Sequence, residues 1–154
     1  MDSHGAVGLR VPYKIYPLTT TDPAFPTQKS VWVPTLAVSL IINHATTKRM
    51  EALVDSGSDK CLFHSDIGRS HGLKIEQGKL GPIGGIVRGA QCKVYYHPVK
   101  LVIPGGIVSI TAGFSDDLSV AAILGRHGFF ENFTITFDPC SKPPGLVLER
   151  FYRV

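Results

Sequence analysis

An all-β, barrel-like fold is predicted by three features of this 154-residue sequence. Short apolar stretches that suit strands follow one another at close spacing from Val31 onward. The 16 glycines and 11 prolines supply the turns between them. Helical candidates are few and short, at 61–73 and at 126–132. The length suits a single domain that buries roughly two thirds of the surface of its unfolded chain.

The first 30 residues differ in composition from the rest of the chain. They are rich in proline, threonine and glycine, with prolines at positions 12, 17, 23 and 26. This composition predicts an extended arm that lies on a surface rather than a core element. We therefore divide the chain into an N-terminal arm, residues 1–30, and a single domain, residues 31–154.

Strands and turns can be assigned in order along the domain. The segment TLAVSLIINHATTKRMEALVDSG predicts a hairpin with a polar turn at 43–48, and its second strand ends at Asp55. Glycine-punctuated strands follow, with a turn at 104–106. An apolar strand before Gly125 and the strand FTITF come next. A late apolar strand in 141–154 either pairs across a dimer or folds back on its own subunit.

Composition and charge argue against several classes of function. The formal charge of +4 comes from dispersed residues, and KVYYHPVK is the only short candidate for a nucleic-acid surface, so no nucleic-acid partner is predicted. The histidines lack the paired spacing of metal ligands, and we predict neither a metal nor another cofactor. The run TLAVSLII is far shorter than the roughly 20 residues of a membrane helix, so no membrane partner is predicted for this chain.

Three sparse cysteines, Cys61, Cys92 and Cys140, are typical of a reducing compartment. We therefore predict a cytoplasmic location. A membrane-anchored or larger parent protein remains an open alternative.

Asp55 is the residue that most needs an explanation. It stands between the apolar run Ala52–Val54 and the small residues Ser56–Ser58, where a buried strand gives way to a turn. A carboxylate that leaves water costs several kcal/mol unless it is hydrogen-bonded or paired. From the local pattern, Asp55 is either a turn-forming aspartate or part of a functional site.

Three separated segments together resemble the retropepsin-like aspartic protease family, which includes the retroviral proteases. ALVDSGS, at 52–58, is similar to the active-site loop of that family, and IGGIVRG, at 83–89, is similar to its glycine-rich flap. AAILGRHGFF, at 121–130, resembles the segment before its C-terminal helix. The resemblance implies a closed barrel with a flap hairpin and one short C-terminal helix.

The resemblance also implies roles for individual residues. Asp55 would be catalytic, and an Asp59–Arg126 ion pair would support the active-site loop. His127 departs from the family, which often has asparagine or aspartate there. The remaining candidates are the loop residues Ser56, Gly57 and Ser58 and the flap residues Ile83, Gly84, Gly85 and Ile86. For the flap, a purely structural glycine-rich turn is the alternative.

The implied activity is that of an aspartic endopeptidase that cleaves an extended peptide or protein. Such an enzyme needs two carboxylates about 3 Å apart that share one proton. The chain has one Asp-Ser-Gly, so the second carboxylate would come from a homodimer with two Asp55 residues at its two-fold axis. The alternative is a dimerisation or peptide-binding module that keeps the fold and cleaves little or nothing.

Overall fold

The computed structural model describes residues 8–84 and 91–150. Within these ranges the chain is mostly β and contains little helix. The strands, one α-helix and one 3-10 helix are, in order, β1 (Leu9–Pro12), β2 (Lys14–Pro17), β3 (Ser30–Val33), β4 (Thr35–Ile42), β5 (Ala45–Thr46), β6 (Met50–Val54), β7 (Leu62–His64), α1 (Ser65–Arg69), the 3-10 helix (Ile75–Gln77), β8 (Lys79–Gly84), β9 (Gln91–Ile103), β10 (Gly106–Ser115), β11 (Ala122–Leu124), β12 (Phe133–Asp138) and β13 (Gly145–Arg150).

Six strands close into a barrel, in the order β4, β6, β11, β7, β10 and β9, and a β4–β9 pairing joins the ends. The long strand β9 makes the closure, because on one edge it pairs first with β8 and then, over 100–102, with β4. Pro98, which has no N–H to donate, lies between these two partners. The predicted all-β barrel is therefore confirmed.

Every second side chain along the barrel strands points inward, and these side chains fill the barrel. In β4, the side chains of Leu36, Val38 and Leu40 are almost completely buried. Aromatic residues from neighbouring strands complete this core, and the ring centroids of Phe63 and Phe114 lie 6.0 Å apart. Because successive side chains of a strand point to opposite faces, the same strands also present a second face outside the barrel.

The first predicted hairpin is present. β4 turns through Asn43 and His44, which have φ of 49° and 65°, into β5, and β6 then pairs antiparallel with β4. Two successive positive φ angles are typical of the tight turns whose twist matches that of paired strands. The predicted turn at 104–106 also lies between two strands, β9 and β10.

A second sheet holds both ends of the described chain. β13 lies between β1 and β12 and pairs antiparallel with each. Both edges of β13 are thus occupied by its own chain, so this late strand folds back on its own subunit. Part of the predicted N-terminal arm, Leu9–Pro12, is consequently an edge strand of this sheet.

The rest of the predicted arm contains a hairpin. β2 pairs antiparallel with β3, with Ile15 opposite Trp32 and Tyr16 opposite Val31. Ile15 and Trp32 are largely exposed, whereas Lys14, on the other face, forms an ion pair with Glu51 of β6. The hairpin therefore lies with one face towards β6 and the other towards solvent.

The predicted C-terminal helix, 126–132, is wrong in detail, because the structure has turns there. Gly128 has a φ of 104°, which an α-helix does not accommodate. The Phe130 and Glu131 N–H groups donate to carbonyl oxygens five residues earlier. These turns place Phe129 completely inside the core, 5.4 Å from the Phe133 ring. The segment thus buries Phe129 without forming a regular helix.

The short helical turn predicted within 61–73 is confirmed as α1. It carries Arg69, which donates to both carboxylate oxygens of Asp116, at 2.5 and 3.2 Å, and to Glu76 at 2.8 Å. We call these three residues the Arg69 cluster. No helix in 8–84 or 91–150 has the length and apolar character needed to cross a membrane.

Candidate active site

Asp55 lies at the end of β6, on the outer face of the barrel wall. Alternation places Ala52 and Val54 in the core and leaves Leu53 and Asp55 half-buried on the opposite face. The Asp55 N–H donates to the carbonyl oxygen of Leu124 on the neighbouring strand β11 at 3.0 Å. The backbone of Asp55 is thus fixed to the barrel just where its side chain leaves it.

A tight turn then holds the carboxylate. The Gly57 N–H donates to Asp55 Oδ1 at 2.9 Å, and the Ser58 N–H donates to the Asp55 carbonyl oxygen at 3.2 Å. A Cβ atom at position 57 would lie 3.1 Å from Oδ1, so glycine permits this close approach. Within 8–84 and 91–150, Asp55 Oδ2 accepts no hydrogen bond, and the neighbouring Ser56 is exposed. One carboxylate oxygen is therefore fixed and the other is open.

Arg126 braces this turn, but through a different partner from the predicted one. Its guanidinium donates to the carbonyl oxygen of Ser56 at 2.7 Å. The ion pairs formed by the described residues do not include Asp59 with Arg126. The Arg126 N–H already donates to the Ser58 carbonyl oxygen at 2.9 Å, which brings the guanidinium close to the carbonyl groups of the turn.

Gly125 allows β11 to pass against the loop after Asp55. A Cβ atom there would lie 2.2 Å from the carbonyl oxygen of Lys60 and 2.7 Å from that of Ser58, both backbone atoms. Next to this contact, the His127 N–H donates to the Asp59 carbonyl oxygen at 2.9 Å. β11 lies between β6 and β7, parallel to the first and antiparallel to the second, and so fixes both sides of the loop.

The predicted flap residues are only partly within the described chain. In β8, Ile83 pairs with Cys92 and Gly84 with Gln91, which forms the base of an antiparallel hairpin with β9. Gly85 and Ile86 lie outside the described residues.

Tyr96 connects the base of this hairpin with the Asp55 loop, and sequence reasoning missed it. A Cβ atom at Gly81 would lie 2.6 Å from the Tyr96 ring, so the ring covers the backbone of β8. Burial raises the pKa of the Tyr96 hydroxyl, and the negative charge of Asp59 raises it further.

Cys61 is poorly suited to act as a nucleophile. Cys61, just after the loop, is completely buried, and this burial raises the pKa of its thiol to about 11. A thiol that remains protonated is a poor nucleophile and a poor metal ligand. No group of three or more potential metal-binding side chains occurs in the part of the chain that the structure describes.

Comparison with solved structures identifies the fold. The chain is similar to a retropepsin-like aspartic protease from Rickettsia conorii, with a TM-score of 0.53 and 13% identity over 97% of this chain and 98% of the other. It is also similar to EIAV protease in complex with the inhibitor HBY-793, with a TM-score of 0.46 and 21% identity over 61% of this chain and 82% of that one.

A third similar structure is the retroviral protease-like domain of Ddi1 from Leishmania major, with a TM-score of 0.43 and 20% identity over 60% of this chain and 73% of that one. No protein-family model and no curated protein sequence matches the chain. The Rickettsia comparison spans nearly the whole of both chains, so this chain has the retropepsin-like fold. At 13% identity the comparison shows the fold alone.

Proposed function

We propose that this protein is an aspartic endopeptidase whose active site is completed in a homodimer by one Asp55 from each chain. The observation that carries the proposal is the state of the Asp55 carboxylate in a retropepsin-like barrel. Oδ1 is fixed by the Gly57 N–H, and Oδ2 is open at the half-buried end of β6. A carboxylate with one fixed and one open oxygen suits proton transfer to and from a bound water.

The reaction uses both carboxyl groups of the pair. Two carboxylates about 3 Å apart share one proton, because both cannot ionise at that distance. The ionised carboxylate removes a proton from a bound water, and the oxygen of that water attacks the carbonyl carbon of the peptide. The protonated carboxyl group donates its proton to the carbonyl oxygen of the peptide. The tetrahedral intermediate then collapses, the C–N bond breaks, and the leaving nitrogen takes a proton. The products are a carboxyl group and an amine.

The single Asp-Ser/Thr-Gly segment of the sequence supports a site shared by two chains. Asp55-Ser56-Gly57 is the one Asp-Ser/Thr-Gly segment in the 154 residues. Ser56 is exposed and could contact Ser56 of the second chain. Arg126 donates a hydrogen bond to the Ser56 carbonyl oxygen. In this arrangement the two loops would be locked together at the two-fold axis.

The flap hairpin would close over the substrate. Its base is held by the β8–β9 pairing up to Gly84 and Gln91. We propose that Ile83, Gly84, Gly85 and Ile86 cover an extended peptide, exclude water and offer backbone hydrogen bonds to it.

A subunit-mixing experiment tests the shared site. Asp55→Asn is nearly isosteric, and we expect it to abolish cleavage of a protein substrate such as casein while the circular dichroism spectrum and dimer remain unchanged. Wild-type chains that exchange with an excess of Asp55→Asn chains should lose most of their activity, because most pairs then hold one carboxylate. Excess Asp22→Asn, a change at an exposed aspartate in the loop between β2 and β3, is the matched control and should not inhibit.

Two further outcomes would decide between hypotheses. If chains exchange and activity simply follows the amount of wild-type protein, the shared site is wrong. If the protein dimerises and binds peptides but cleaves none between mildly acidic and neutral pH, it is a binding module with the same fold. Activity that requires one protonated and one ionised carboxyl group should increase from neutral to mildly acidic pH.

A further inference from the structure

A cavity of about 620 Å³ lies between the loop that leads into β6 and the end of helix α1. The loop contributes Thr47, Lys48 and Arg49, and the helix end contributes Ser70 and His71. The lining is completed by Thr46, Met50, Ile67 and Ala121. No residue of the turn that holds the Asp55 carboxylate lines this space, so it is outside the candidate active site. We call it the basic cavity.

The charged side chains of the basic cavity are cations without a counter-ion. Lys48 and Arg49 are exposed, and neither belongs to an ion pair formed within 8–84 and 91–150. No carboxylate of the described residues lines the space. Asp66, on the adjoining helix, is already paired with Arg69, whose Nη1 lies 3.8 Å from Asp66 Oδ1. An anion bound here would relieve the repulsion between the two cations.

Hydrogen bonds hold both walls of the cavity in place. On one side, the Leu40 N–H donates to Thr47 Oγ1 at 2.9 Å, and the Thr47 N–H donates to the Leu40 carbonyl oxygen at 2.8 Å. On the other side, Asn43 Nδ2, in the turn between β4 and β5, donates to the His71 carbonyl oxygen at 3.1 Å. The hairpin that leads to Lys48 is thereby joined to the end of α1. Because the walls are already ordered, a ligand would bind with little further loss of conformational entropy.

The rest of the lining is apolar and indicates the shape of the ligand. Met50, Ile67 and Ala121 contribute thioether and aliphatic surface. A volume of about 620 Å³ is within the range of roughly 300–1,000 Å³ that is typical of small-ligand pockets, and it exceeds what a bare phosphate or carboxylate needs. The cavity therefore suits an anion that carries a compact apolar body.

Two positive charges favour a phosphate over a carboxylate. At neutral pH a phosphate monoester carries close to two negative charges and three acceptor oxygens, whereas a carboxylate carries a single charge. A guanidinium such as that of Arg49 can bind two phosphate oxygens at once, and the Lys48 ammonium can bind as a point charge. We propose that the basic cavity binds a phosphate monoester with a compact apolar body, such as an aryl phosphate. This inference does not depend on the proposed protease function.

Isothermal titration calorimetry of the whole 154-residue chain tests the proposal with phenyl phosphate as the probe. At about pH 7.5 and constant ionic strength, phenyl phosphate should bind about tenfold more tightly than inorganic phosphate, which lacks the ring, and than benzoate, which has one charge. Lys48→Met and Arg49→Met remove one exposed charge each and should each weaken phenyl phosphate binding about tenfold. If inorganic phosphate or benzoate binds as tightly as phenyl phosphate, the assigned ligand class is wrong.

Lys29→Met is the matched control, because Lys29 is an exposed lysine in the loop between β2 and β3 and does not line the cavity. This variant should bind phenyl phosphate as the wild-type protein does. Ile67→Ala should weaken phenyl phosphate binding about fivefold and leave inorganic phosphate binding unchanged, since it removes apolar contact alone. Equal losses in Lys48→Met and Lys29→Met would indicate non-specific attraction to a basic protein and overturn the proposal. Failure of the wild-type protein to bind phenyl phosphate would also overturn it.

A phosphotyrosine peptide distinguishes two sources of the same ligand chemistry. A decapeptide with a central phosphotyrosine carries an aryl phosphate on a polypeptide, and it is titrated into Asp55→Asn protein so that cleavage does not interfere. Binding at least as tight as that of phenyl phosphate, weakened to the same extent by Lys48→Met, would identify the ligand as a phosphorylated protein side chain. Binding of phenyl phosphate alone would identify it as a free ester. Equal binding of the unphosphorylated decapeptide would overturn the proposal.

Discussion

Gly125→Ala should be among the most destabilising single changes in this protein. Its Cβ atom would lie 2.2 Å from the Lys60 carbonyl oxygen and 2.7 Å from the Ser58 carbonyl oxygen. Both obstacles are backbone atoms, so no side chain can rotate away, and β11 must separate from the loop by more than 1 Å to reach ordinary contact distance.

The size of the effect follows from the hydrogen bonds across this contact. The Arg126 and His127 N–H groups donate to the Ser58 and Asp59 carbonyl oxygens, both at 2.9 Å. A displacement of about 1 Å breaks both bonds, at about 1 kcal/mol each, and the strained packing adds roughly 1–3 kcal/mol. We expect the free energy of unfolding to decrease by about 3–5 kcal/mol.

Urea unfolding followed by circular dichroism at a fixed protein concentration measures this change. Gly105→Ala is the matched control: Gly105 has a φ of 90°, and no atom lies within 4 Å of its Cβ position, so only backbone strain of about 1 kcal/mol is expected. Failure of Gly125→Ala to accumulate in soluble form, while Gly105→Ala does, would agree with the prediction. Equal losses below about 1 kcal/mol for both variants would refute it.

Three further predictions concern the site and the surface. Gly57→Ala, whose Cβ would lie 3.1 Å from Asp55 Oδ1, should lower the cleavage rate about tenfold while the urea midpoint changes little; an unchanged rate would contradict the role of this contact. His44→Gly should raise the free energy of unfolding by about 0.5–1 kcal/mol in urea titrations, because it removes a non-glycine residue from a φ of 65°; a decrease would count against this strain. In the Arg69 cluster, hydrogen bonds from Arg69 lower the pKa of both carboxyl groups, so their stabilisation is present above the unfolded-state pKa values and is lost as the pH falls through the lower, folded-state values. Urea unfolding between about pH 5 and pH 3 should therefore depend less steeply on pH in Arg69→Met than in the wild-type protein, and equal slopes would contradict the assignment.

Much of the fold could be predicted from local patterns. The alternation in β4, the turn at 104–106 and the end of β6 at Asp55 depend on a few neighbouring residues, and each is present in the structure. The position of Asp55 at the end of a buried strand could also be predicted, because apolar residues before it and small residues after it are both local signals.

The candidate site could be predicted only in part. Asp55, Gly57 and Arg126 do meet at one loop, as the segments 52–58 and 121–130 indicated. The choice of Ser56 over Asp59 as the partner of Arg126 depends on hydrogen bonds between β11 and the loop. Such bonds join residues nearly 70 positions apart, and the sequence pattern carries no signal of their geometry.

Other features were decided by tertiary packing alone. The segment 126–132 forms turns, in which Gly128 adopts a φ of 104° and Phe129 is buried in the core. An ion pair joins Lys14 of the β2–β3 hairpin to Glu51 of β6, although their positions differ by 37 in sequence. By itself, the sequence determined the faces of the strands and the place of the carboxylate, since these follow from the alternation of side chains along a backbone. Which residues pack against each face of a strand was decided by the closed barrel. Only the closure of the barrel brings distant segments within the few ångströms over which packing and hydrogen bonds act.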